Sequence, residues 1–481
     1  MSQLKKNAFV SLSSLLFQSG YSAVLGLIAN IILTIFGGVG LFGIYSLTQA
    51  ALAIFNYFSD IGLAGALIQK KEVKLQDLRV VFTIQMTLVT ILVFFGFIAG
   101  NQVVAFYRLD ERVITLYHAL LVGFFLSSLK TIPSVLLERS LQFQKIVRVT
   151  IIENTLFYAV VSCGILAGLD LYAFVIAVVA RAFVGTSVMY HLSKWQVGLA
   201  YDRKIFTELL TFGLPYQSST FLALFKDELI ILFLGRVLGV DALGLVMWAK
   251  KWADAPIRII MDNVSKVLFP LFSRVQDEKE KLRLVVEESL KFQTLVLAPL
   301  YVFAILLMPK LIYVVPRYAK WAPAVDLFQI LAASAFLATF STPFMNLFNS
   351  LKKTHIPLVF MAFWTLGTWL LVPYLTIHYG NYGFPITQIF LSSTCVLVIA
   401  IARRMVHFRL RQAVGASLWA ALISGCIVLP FSFSTPDTLV SIVGISLFGG
   451  AVYCLAVVAV TNGKIMHDIR AHLPSRLRIA S

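Results

Sequence analysis

Apolar runs of roughly 20 residues or more, each closed by a short charged or Gly/Pro-containing joint, recur along the whole chain. Such a run is a bilayer-spanning helix, because a helix rising about 1.5 Å per residue crosses the hydrocarbon core in about that length. The pattern predicts fourteen spans, at about 9–36, 40–69, 77–100, 113–137, 147–168, 171–193, 206–236, 241–272, 285–308, 321–348, 356–378, 383–402, 413–433 and 438–460. Lys5 and Lys6 precede the first run in the manner of a secretory signal, but the run is too long and lacks a clear cleavage site, so it is read as span one. The eighth is interrupted by Lys250, Lys251, Asp254, Arg258, Asp262 and Lys266, and a hydropathy window alone would drop it.

Composition agrees with this class. Hydrophobic residues make up 59% of the 481 and charged residues only 13%, about half the charged share of a soluble domain. The net charge of +17 would suggest nucleic acid in a soluble protein, but its placement gives it another meaning. Basic residues collect in alternate joints, among them Lys70, Lys71, Lys74, Arg79, Arg139, Lys145, Arg148, Arg203, Lys204, Lys352, Lys353, Arg403 and Arg404. The opposite joints hold Arg108, Arg112, Arg236, Lys310, Arg317 and Lys320. The positive-inside bias then places both termini in the cytoplasm, and span eight must cross or the bias fails throughout the second half. The surplus is topology, with some attraction to anionic membrane lipid, and no nucleic-acid partner is implied.

A repeat suggests the organisation. Gly38-Val39-Gly40-Leu41-Phe42-Gly43-Ile44-Tyr45 aligns with Gly239-Val240-Asp241-Ala242-Leu243-Gly244-Leu245-Val246 at a constant offset of 201, each copy opening the second span of a pair. Spans six apart are thereby related, so the expected architecture is an all-α polytopic membrane protein with two six-helix lobes around a central cavity. The expected boundaries are an N-lobe over 1–193, a cytoplasmic linker over 194–205, a C-lobe over 206–403, two further helices within 404–460 and a basic tail over 461–481.

Catalytic chemistry is not legible. Outer joints are short and lack Asp-x-Asp, the seven His are scattered, and no glycine-rich phosphate loop occurs. The expectation is no enzyme, no cofactor and no metal site. Cys163, Cys395, Cys426 and Cys454 fall in spans at unrelated spacings and are expected to be packing residues.

Ionisable groups inside spans are costly and normally face protein or a wet cavity. In span eight Lys250, Asp254, Arg258, Asp262 and Lys266 recur every four residues along one slowly winding face. The stripe is either a self-neutralising ion-pair ladder or the wall of a cleft for an anion, and with Lys251 its cations outnumber its acids. Span seven adds Lys226, Asp227 and Glu228, whose acids are also open to pairing with a span-eight cation. Lys130 stands three residues before Pro133, where a kink would open backbone carbonyls to a cavity, although a lysine stem also snorkels. Arg181 lies near the depth of Glu153, so it either pairs with that acid or joins the anion-binding set. Tyr45, Gln49, Asn56 and Asp60 form a milder polar stripe in span two.

The chain resembles the polysaccharide transporters of the multidrug/oligosaccharidyl-lipid/polysaccharide exporter superfamily, the Wzx-type oligosaccharide or O-antigen flippases. The resemblance rests on GVGLFGIYSLTQAALAIFNYFSDIGLAGALIQKKE at 38–72, PSVLLERSLQFQKIV at 133–147, FGLPYQSS at 212–219 and the stretch from Lys226 to Asp277. It implies fourteen helices and a polyprenyl-diphosphate-linked oligosaccharide turned to the outer leaflet of a bacterial inner membrane, with a polysaccharide polymerase and assembly proteins as possible partners. It also implies that basic cavity residues meet the diphosphate, for which Lys130, Arg181, Lys226, Lys250, Lys251 and Arg258 are the candidates. Asp60, Glu153, Asp227, Glu228, Asp254 and Asp262 are then ion-pair or coupling acids. Two other functions compete: a drug or cation exporter of the same superfamily, expected to have a carboxylate-dominated cavity, and a membrane-embedded glycosyltransferase or polymerase, expected to have a large acidic outer loop.

Overall fold

The computed structural model describes residues 2–60, 62–70 and 72–461. The side chains of Lys5, Lys6, Asp60, Asp262 and Lys266, and Lys71 and the basic tail from 462 onward, lie outside the described residues. Among the described residues every regular element is a helix. The first ten are α1 Ser2–Phe36, α2 Val39–Asp60, α3 Leu63–Gln69, α4 Leu75–Phe106, α5 Val113–Ser128, α6 Thr131–Arg139, α7 Phe143–Leu166, α8 Leu171–Leu192, α9 Arg203–Asp227 and α10 Leu229–Leu238. The others are α11 Val240–Pro256, α12 Asp262–Val275, α13 Lys279–Val314, α14 Val325–Thr339, α15 Thr342–Ser350, α16 His355–Tyr379, α17 Gly383–Ser393, α18 Cys395–Met405, α19 Leu410–Ser434 and α20 Leu439–Val460.

Ten helical stretches among the described residues are long and apolar enough to span a membrane. One, His355–Met405, turns at Gly380 (φ 56°) and covers two of the predicted spans, and Val39–Phe55 is a shorter apolar helix. Predicted spans seven and eight are helical as well, α9 with α10 and α11 with α12. The chain is an all-helical, multi-pass membrane protein.

Packing divides it into two compact units, Met1–Met247 with Met361–Gly383, and Trp248–Phe360 with Phe384–Ser481. In the first, predicted span two is two helices: Gly62 takes a left-handed φ of 78°, which a residue without Cβ adopts at little cost. The short α3 that follows buries Leu63, Ala66 and Leu67 against Leu78, Phe82, Ile132 and Leu209. Its C-terminal carbonyls would otherwise be unpaired. One nitrogen of Arg139 donates to the carbonyls of Leu67, Ile68 and Lys70, at 2.6, 3.0 and 2.6 Å. Beside it Lys70 pairs with Asp77 and Glu208, both at 3.2 Å. Burial works against that ammonium, but the two carboxylates outweigh it and hold its pKa above the usual lysine value.

Span four also breaks, between α5 and α6. Pro133 has no N–H for the Leu129 carbonyl, and the Tyr190 hydroxyl of α8 donates to that carbonyl instead, at 3.0 Å.

The second unit buries Trp248 and Trp321 completely, their rings stacked with centroids 5.2 Å apart. Pro256 interrupts its first helix. It ends α11 and is followed by a π turn over Ile257–Met261, the wider turn that absorbs one extra residue. The Tyr301 hydroxyl donates to the Ala253 carbonyl at 3.0 Å. A four-residue stripe drifts about 40° per step around an α-helix, and the π turn takes back part of that drift. Farther on, the buried Lys310 donates to the Thr435 carbonyl at 2.6 Å and pairs with Asp437 at 3.0 Å, tying α13 to the α19–α20 joint. The cysteines correct an expectation: Cys395 is buried, but Cys163, Cys426 and Cys454 are exposed on the outside of their helices. A small apolar thiol facing lipid costs nothing, so composition could not tell the two positions apart.

Candidate functional site

The break in span four places its lysine. Lys130 caps α6 and reaches across to the Glu153 carboxylate of α7 in an ion pair. Glu153 is 4% exposed, and it fits because Gly185 of α8 has no side chain: an added methyl there would overlap the carboxylate. The acid is thus committed to Lys130 and not to Arg181, because the backbone break brings the lysine to its depth.

Arg181 is the eleventh of the 22 residues of α8, the middle of the span, where exporter ligand sites gather. Its guanidinium lies over the Phe157 ring, 5.5 Å from the centroid. Among the described residues no carboxylate is within ion-pair distance of it. Lys130 and Arg181 both line one cavity of about 340 Å³, inside the first unit, together with Gln49, Ser127, Phe124 and Phe157. With Glu153 neutralising Lys130, the cavity holds one uncompensated positive charge among the described residues. An arginine stacked on an aromatic ring offers a fixed fork of donors to phosphate or carboxylate oxygens.

The remaining candidates are placed elsewhere. Lys226, at the end of α9, pairs with its neighbour Asp227 at 2.6 Å, and Glu228 occupies the turn to α10. Lys250 and Asp254 form an ion pair one helical turn apart. Lys251 is exposed, and Arg258 is exposed on the π turn. Asp60 and Asp262 lie outside the described side chains. No cluster of three or more metal-ligating side chains occurs among the described residues.

Sequence reading singled out Lys130, Arg181, Glu153 and Gln49, but not Ser127, Phe157 or Gly185. Gly185 had a signal in being one helical turn from Arg181 on the same face; the other two had none.

The Lys130–Glu153 pair can be tested by itself. Lys130→Ala leaves a buried acid without its partner and is expected to cost about 3–5 kcal/mol. The double change Lys130→Met with Glu153→Gln should recover most of that loss, measured as Tm in detergent. A double variant no more stable than the single one would rule out the pairing.

The repeat found in the sequence also has a structural counterpart. A methyl added at Gly43 would overlap the Val240 carbonyl, and one at Gly244 would overlap the Val39 carbonyl. The two contacts are reciprocal at the same 201-residue offset, as a pseudo-twofold crossing of α2 and α11 requires.

Fold and cavity together describe an all-helical, multi-pass membrane protein with a cation-bearing cavity inside its first unit. The fold is shared with "Lipid II flippase MurJ, inward closed conformation", at a TM-score of 0.76 and 14% identity over 95% of this chain and 100% of that one. An inward-facing multidrug resistance MATE family transporter follows at 0.60 and 16%, over 83% of this chain and 97% of that one. Residues 39–326 match the family described as "Polysaccharide biosynthesis protein", and the chain belongs to that family. Among individual relatives, the teichuronic acid biosynthesis protein TuaB of Bacillus subtilis is 24% identical over 65% of this chain, which spans 64% of that relative's length. The lipopolysaccharide biosynthesis protein WzxC of Escherichia coli is 22% identical over 83% of this chain and 80% of its own.

Proposed function

We propose that this transporter turns a polyprenyl-diphosphate-linked oligosaccharide from the cytoplasmic to the outer leaflet of a bacterial inner membrane by alternating access, for cell-surface polysaccharide synthesis. The observation that carries the proposal is Arg181, an uncompensated cation at mid-span in a polar cavity of a polysaccharide-family transporter. A cavity of about 340 Å³ is at the small end of ligand sites. It suits the diphosphate, while the glycan lies beyond it and the prenyl tail stays in lipid. Lys130 holds the wall in register through Glu153; of the other candidate cations, Lys226 and Lys250 are paired with Asp227 and Asp254 and contribute donors, while Lys251 and Arg258 are exposed and contribute charge. The reciprocal Gly43 and Gly244 contacts support two parallel six-helix repeats, 1–193 and 206–403, as the moving lobes.

A drug or cation exporter of the same fold needs carboxylates facing its cavity, whereas among the described residues the acid beside this one, Glu153, is already paired with Lys130. With both termini cytoplasmic, moving an anionic head group outward is downhill by about 2.3 kcal/mol per charge per 100 mV.

The test is translocation of a polyprenyl-diphosphate oligosaccharide by purified protein in liposomes. An imposed potential, positive on the receiving side, is expected to accelerate it, and an unchanged rate on dissipating the potential would remove the electrogenic step. Lys226→Ala, Lys250→Ala and Arg258→Ala are each expected to slow it. Full activity in all three would remove those residues from the path, and failure to move any lipid-linked sugar would overturn the function.

A further inference from the structure

A second cavity of about 210 Å³ lies on the other side of α2 from the Arg181 cavity. Phe55 lines the one and Phe124 the other, and their stacked rings, 6.0 Å apart, form part of the wall between them. The lining of the second is almost wholly apolar, with Leu47 and Ile54 of α2, Val104 of α4, Leu232 of α10, and Tyr107 and Leu109 from the joint after α4. It sits at the helix ends opposite the basic joints, because α4 finishes there at Phe106 and α10 at Leu238.

A cation stands at its rim. Arg236 is one helical turn beyond Leu232 on α10, partly buried, with its guanidinium 4.9 Å from the centroid of the Phe106 ring. Phe106 packs edge-on against Tyr107, ring centroids 5.0 Å apart, and Tyr107 enters the cavity. Among the described residues Arg236 has no carboxylate partner. Basic residues are scarce on this face, and a lone arginine poised over an apolar slot at headgroup depth is complementary to a lipid phosphate with its chain below.

We infer that this pocket is a binding site for an anionic diacyl phospholipid of the leaflet opposite the basic joints, one hydrocarbon chain in the slot between α2, α4 and α10 and the phosphodiester on Arg236. One guanidinium matches one phosphodiester charge. The site is separate from the Arg181 cavity, and the inference does not depend on which substrate is transported.

The experiment measures retention of added phosphatidylglycerol against phosphatidylcholine on the purified full chain by native mass spectrometry, with folding checked by Tm. Phosphatidylglycerol should be preferred about fivefold, the equivalent of about 1 kcal/mol for one arginine near the surface. Arg236→Gln should bring the ratio to one, and Arg236→Lys should keep part of it. Leu232→Trp, which fills the slot, should reduce retention of both lipids. Equal retention of the two lipids by the unmodified protein would overturn the site, as would an unchanged preference in Arg236→Gln. Displacement of phosphatidylglycerol by equimolar polyprenyl phosphate, lost in Arg236→Gln, would overturn the assignment to a diacyl lipid.

Discussion

Arg181→Gln is expected to lower translocation in liposomes about ten- to hundredfold while leaving Tm within a few degrees of the parent. A hydrogen bond to a charged group is worth about 1.5–3 kcal/mol, and each 1.4 kcal/mol is about tenfold. Glutamine keeps a planar polar head but removes the charge and the fork of donors. The protein itself should tolerate the change, because no described carboxylate relies on Arg181 and its packing against Phe157 can be kept by a shorter amide. Arg181→Lys should retain the charge and recover only part of the activity, since a lysine cannot present two parallel donors to a phosphate. Lys130→Ala offers the contrast, with a large loss of stability through Glu153. If Arg181→Gln transports at the parental rate, the cavity does not meet the charged part of the substrate.

The crossing of α2 and α11 leads to the second large effect. At Gly43 and Gly244 each helix lies against a carbonyl of the other, and a carbonyl cannot move aside as a side chain can. Gly43→Val or Gly244→Val therefore has to push the helix starts apart. Overpacking of this kind costs about 1–3 kcal/mol and displaces backbone. Translocation should fall at least about tenfold in each variant, the equivalent of about 1.4 kcal/mol if that cost falls on the closed arrangement. Gly38→Ala is the control: a methyl there meets nothing within 4 Å and should leave transport unchanged. Equal transport by the Gly43, Gly244 and Gly38 variants would show that the crossing does not have to close during the cycle.

The candidate site was legible only as far as one-dimensional signals reach. A charge in a mid-span position is conspicuous, so Arg181, Glu153 and Lys130 were each visible. Their partnership was not. Depth along the helices put Glu153 near Arg181, but the Pro133 break, which gave Leu129 a hydroxyl donor and set Lys130 at the start of α6, decided in favour of Lys130. The apolar slot under Arg236 had no signal at all, because its lining residues look like any other membrane-facing side chains.

By itself the sequence determined the class. The length of the apolar runs, the alternation of basic joints and the sparse charge admit a multi-pass helical protein and little else, because an unpaired backbone cannot exist in hydrocarbon. It also pointed to the repeat, since the match of residues 38–45 with 239–246 at a constant offset needs no coordinates to be seen. Tertiary structure alone decided which cations are neutralised, where helices break inside a span, and that the two copies of the repeat meet at their glycines. The reason is physical. Hydropathy sums over a helix, whereas pairing depends on a few ångströms between side chains from different helices, and those distances are set by packing that no single run of residues encodes.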